Sequence, residues 1–70
     1  MPALDNFRAN LKAICRQRKL TQRELAEKAG VHYVTVNRIF QGILEPSIPM
    51  AERLVEAAGA DMKKIFSEPS

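Results

Sequence analysis

Cysteine is almost missing from this chain: Cys15 stands alone among 70 residues. No disulfide within the chain can staple the fold. A small domain without such staples suits a reducing compartment, and a cytoplasmic location is expected. Glycine and proline are sparse as well, 3 and 4 residues, which excludes a low-complexity chain. There is one histidine, and neither paired carboxylates nor a metal-ligand spacing of His and Cys. No metal, no cofactor and no enzyme activity are therefore expected. The first residues, MPALDNFRANLK, contain no long apolar run, so neither a secretory leader nor a membrane span is expected. No internal repeat is found.

What is present is globular. Nearly half the residues are apolar and about a quarter are charged. Seventy residues make one domain, 1–70, with a short disordered tail over about 67–70. A chain of this size buries a modest core. The net charge of +3 is unevenly spread: residues 1–42 carry 8 Lys and Arg against 3 Asp and Glu, while residues 43–70 carry 3 against 5. A basic N-terminal part points to a polyanion such as nucleic acid, and charge alone leaves a merely solvated surface equally open.

Apolar spacing predicts five helices and no strands. Leu4, Phe7, Leu11 and Ile14 recur at three- and four-residue intervals, a stripe on a helix over about 4–18. Thr21 followed by Glu24 is a capping box, and Gly30 is a stop, giving a helix over 22–29 with Leu25 and Ala26 inward. Val36, Ile39 and Phe40, closed by Gly42, predict a third helix over 32–41. Its β-branched residues lean towards strand, so packing must hold it helical. Pro46 breaks the chain, Ser47 is an N-cap, and Pro49 lies in the first turn of a helix over 48–58. That helix turns Ala51, Leu54, Val55 and Ala58 inward and stops at Gly59. Asp61 can cap a short fifth helix over 62–66 that buries Ile65, with Met62 or Phe66 beside it.

Two short helices joined by a Gly-containing turn suggest a helix-turn-helix. Counting from Gln22, Ala26 falls fifth, where a second helix crosses closely, and Gly30 falls ninth, where the chain reverses. Val36 and Ile39 anchor the second helix and leave its other face outward. The stretch LTQRELAEKAGVHYVTVNRI resembles the helix-turn-helix of the Xre/Cro–cI family of small phage and bacterial regulators. The resemblance runs on through EPSIPMAERLVEAAGAD and covers nearly the whole chain.

That resemblance implies an all-α, five-helix, lambda-repressor-like domain that binds a double-stranded DNA operator, usually as a homodimer. The third helix would then enter the major groove. Its base-reading candidates are His32, Tyr33, Val34, Thr35, Asn37 and Arg38, with Arg38 suited to guanine. Gln22 matches the family's phosphate-touching glutamine, and Arg16, Arg18, Lys19, Thr21 and Arg23 are further phosphate candidates. The implied function is transcriptional regulation, as a repressor. The alternatives are the antitoxin of a toxin–antitoxin pair, with the toxin as partner, and a protein-interaction module that has lost DNA binding.

Two departures from the family stand out. Where the family commonly pairs an Arg with an acid between the first and third helices, this chain has Cys15 and Phe40. Replacing both charges by apolar groups avoids a stranded charge, so the two side chains are expected to touch. After the third helix, where basic or polar residues usually reach phosphates, stand Ile43 and Leu44, candidates for a dimer or partner contact.

Overall fold

The computed structural model describes residues 2–68. It contains α1 (Pro2–Gln17), α2 (Gln22–Ala29), α3 (Tyr33–Gln41) and α4 (Ile48–Ala58), with no strand among the described residues. The bounds of α2 and α4 are those the caps predict. The first helix starts earlier than position 4, at Pro2, because proline in a first turn sacrifices no hydrogen bond. It ends at Gln17, where Lys19 turns left-handed at φ 55°. There the Leu20 N–H donates to the Cys15 carbonyl at 2.8 Å and the Lys19 N–H to that of Arg16 at 3.2 Å. Gly30 closes α2 by the same pattern at φ 70°, and Val31 N–H reaches the Ala26 carbonyl at 3.0 Å.

The expected fifth helix is corrected to a run of turns over 62–66. Five residues cannot offset the cost of nucleating a helix. Asp61 does act as a local cap, its carboxylate accepting the Lys63 N–H at 2.9 Å. The carbonyls beyond it are served from α1 instead. Asn6 Nδ2 donates to the Phe66 carbonyl at 3.2 Å, and Asn10 Nδ2 reaches those of Ile65 and Ser67, each at 2.7 Å. Ser67, placed by the sequence in the tail, is thus tied to α1. Residues 69 and 70 of that tail lie outside the described residues.

Helix α2 packs on α3 and α4, and α1 packs on the same two. One core results. Phe7, Leu11 and Cys15 enter it from α1, Leu25 and Ala26 from α2, and Val36, Ile39 and Phe40 from α3. Ala51, Leu54, Val55 and Ala58 come from α4, and Ile65 from the final turns. Phe66 stacks on Phe7 with ring centroids 5.4 Å apart. Each large apolar side chain fully buried contributes about 1.5–3 kcal/mol, so these turns are held by packing rather than by helical bonding.

The buried stripe of α1 differs from the expected one at both ends. Cys15 replaces Ile14 at its C-terminal end, and Leu4 and Ile14 are only half-buried. Cys15 and Phe40 share the core at 5 % and 6 % exposure. Lys12, three residues before Cys15 on α1, holds its ammonium 6.0 Å from the centre of the Phe40 ring. Burial pushes the Cys15 thiol above its ordinary value, against the opposing charge of Arg18. No charged side chain is buried among the described residues.

Candidate nucleic-acid interface

The start of α2 is built by its cap. Thr21 Oγ1 accepts the Glu24 N–H at 3.1 Å, and Glu24 Oε1 accepts the Thr21 N–H at 3.1 Å. That second bond, then the Thr21 hydroxyl, holds the Glu24 carboxyl below its ordinary value. The box engages the N–H groups of residues 21 and 24 and leaves the first-turn N–H groups of Gln22 and Arg23 without intrahelical partners. The half-buried side chain of Gln22 lies against α3, where its Oε1 accepts from Asn37 Nδ2 at 3.0 Å. Asn37 Oδ1 in turn accepts from Gln41 Nε2 at 2.8 Å.

His32 caps α3. Its Nδ1 accepts the Val34 N–H at 3.2 Å, which assigns the remaining ring proton of a neutral imidazole to Nε2. Beyond it Val34 and Arg38 are exposed, and Thr35 between them is half-buried. Tyr33, a base-reading candidate from the sequence, is half-buried and packs on the core. The Arg23 guanidinium covers its ring, 4.4 Å from the centroid. Helices α2 and α3 thus meet through two pairs of candidate side chains: Gln22 with Asn37, and Arg23 with Tyr33.

A family model described as helix-turn-helix matches residues 11–65, from the middle of α1 to past α4. The chain belongs to the Xre/Cro–cI-like helix-turn-helix family. No curated protein and no solved structure matches it. Membership makes this helix-turn-helix protein a DNA-binding transcription regulator in the general sense, in a family that is regulatory rather than enzymatic.

The remaining candidates of this helix-turn-helix protein are dispersed. Arg16 and Lys19 are exposed at the end of α1. Arg18 lies across Gly59 at the end of α4, so close that a Cβ there would overlap its guanidinium. A positive charge there suits the negative end of that helix's dipole, and no hydrogen bond or ion pair joins Arg18 to the α2–α3 group among the described residues. Ile43 is 71 % exposed and Leu44 39 %, and Ile48, not singled out from the sequence, is 62 % exposed beside them. The sequence reading also missed Gln41 and Arg8. Gln41 was legible as the i+4 neighbour of Asn37. Arg8, paired with Asp5, packs against Gly42 at the end of α3, a contact that no local pattern announces. No helix among the described residues is long and apolar enough to cross a membrane.

Proposed function

We propose that the protein is a sequence-specific repressor that reads the major groove with α3 and acts as a homodimer. The observation that carries this reading is the outward side of the α2–α3 pair. There His32, Val34, Thr35 and Arg38 are none of them buried, and α3 meets the capped start of α2 through Asn37 on Gln22 and Tyr33 under Arg23. Thr21, Gln22 and Arg23 meet phosphate oxygens with side-chain donors, and the free N–H groups of the first turn add the positive end of the helix dipole. Arg38 supplies the bidentate fork that distinguishes guanine. In a dimer the two α3 helices stand about 34 Å apart, one turn of DNA.

A second reading rests on Ile43, Leu44 and Ile48, three exposed apolar residues within one loop and helix start. Such a patch favours a protein contact. The second copy of a dimer fits it, and so does the toxin of an antitoxin's pair. A module that binds only protein would keep the patch and lose the groove contacts.

Selection from a randomised duplex library with wild type and Arg38→Ala decides whether the protein reads DNA or binds protein alone. The repressor reading expects a defined site, with Arg38→Ala losing about 1–3 kcal/mol of discrimination at one position and little elsewhere. Absence of any sequence preference in the wild type refutes that reading and favours the protein-only module.

A further inference from the structure

Asn37 falls among the residues the family pattern would aim at bases, yet both ends of its amide are engaged inside the protein. Its Nδ2 donates to Gln22 Oε1 at 3.0 Å and its Oδ1 accepts from Gln41 Nε2 at 2.8 Å. Gln41, Asn37 and Gln22 form a directed chain from the end of α3 to the start of α2. Direction matters because a carboxamide has two unlike ends, an acceptor oxygen and a donor NH2. With Oε1 of Gln22 turned to Asn37, its NH2 has no partner among the described residues and is the end left to a ligand. It stands beside the unengaged first-turn N–H groups of an eight-residue helix, which are donors as well.

We propose that Asn37 is a positioning residue, not a base reader: it fixes the Gln22 amide with its NH2 outward, so that Gln22 accepts only a ligand bearing acceptor oxygens, namely a DNA phosphate. The inference rests on the DNA-binding reading above. It assigns Asn37 a sequence-independent role, which reading bases would not give it. It also makes Asn37→Asp worse than Asn37→Ala. A carboxylate at this position cannot donate, so Gln22 would turn its NH2 inward to the new charge and present its oxygen to the phosphate. A methyl group there merely leaves the Gln22 amide free to rotate.

The test is a double-mutant cycle on two probes, a mixed-sequence duplex and the best duplex recovered from a randomised library. Gln22→Ala is expected to weaken both by about tenfold, as for one hydrogen bond to a charged group. Asn37→Ala should weaken both several-fold and leave the selected sequence unchanged, and Asn37→Asp should cost at least as much as Gln22→Ala. In the Gln22→Ala background, Asn37→Ala should have almost no further effect. There Asn37→Asp should retain only its salt-dependent charge repulsion. Additive losses, or a changed base preference in Asn37→Ala, would overturn the proposal. NMR of the free protein gives a readout independent of DNA. The Asn37 side-chain NH2 signals should be shifted and exchange slowly, and Gln22→Ala should abolish both effects. Solvent-like Asn37 signals in the wild type overturn the amide chain itself. A protected Asn37 amide in a protein that binds neither duplex refutes the DNA reading instead, and with it the purpose assigned to the chain.

Discussion

Lys19 is the one non-glycine residue at positive φ among the described residues, at 55°. Its position closes α1, and the two hydrogen bonds of the closure, at 2.8 and 3.2 Å, require that backbone shape whatever the side chain. Holding an L-residue left-handed costs about 1–2 kcal/mol. Glycine removes that cost but enlarges the unfolded ensemble, which returns about 0.4–1 kcal/mol. Lys19→Gly should therefore stabilise the domain by about 0.5–1 kcal/mol net. For a chain of this size that is a rise in Tm of about 3–6 °C. Lys19→Ala is the control. It removes the same charge and keeps the strain, so it should fall below Lys19→Gly by about 1 kcal/mol. Urea denaturation of the three proteins measures the differences, with unchanged slopes expected. A Lys19→Gly domain no more stable than Lys19→Ala would refute the account of α1's end. The same variants report on function: if Lys19 neutralises a phosphate, both lower the salt slope of DNA binding by about 0.9.

Phe40→Ala should cost about 3 kcal/mol or more by opening a cavity between α1 and α3, a large share of the total stability of a small domain. Chemical denaturation checks it, and a loss below about 1 kcal/mol would mean the ring is not held in the core. Glu24 is more acidic in the folded protein than its ordinary value of 4.5. Its charge therefore stabilises the fold above that value, and the stabilisation fades as pH falls through the lower folded value. Glu24→Gln should lower Tm at neutral pH and match wild type in acid, which thermal melts across pH will show. Ile43→Asp and Leu44→Asp, at a surface with room for the new charge, should leave the monomer folded and shift a loop-mediated dimer to monomer. Size-exclusion chromatography reads this directly, and an unchanged dimer in both moves the interface elsewhere.

The parts of this protein that were legible in the sequence are those that local chemistry controls. Thr21 with Glu24, Gly30, Ser47, Pro49 and Gly59 act on backbone groups within a few residues of themselves, so α2 and α4 could be bounded to the residue. The apolar spacing likewise identified the buried faces of α2, α3 and α4, because one face of a helix is set by its own period. Where the signal weakened, tertiary structure decided. On α1 the period put Ile14 on the stripe while the paired change at Cys15 and Phe40 pointed Cys15 inward, and the packed helices bury Cys15 and leave Ile14 half-buried. The last five-residue segment carries a helix's pattern but too few bonds to sustain one, and the Asn6 and Asn10 amides capture its carbonyls across a long sequence separation. The candidate site divides the same way. Its residues were nameable from their types and spacing, but their duties depend on partners that the chain brings together only on folding. Arg23 lies on Tyr33, Arg18 turns to the end of α4, and Asn37 spends both ends of its amide on Gln22 and Gln41. A side chain's type says what it can bond to. Which bond it makes is decided by the nearest partner, and nearness across helices is a property of the packed molecule alone.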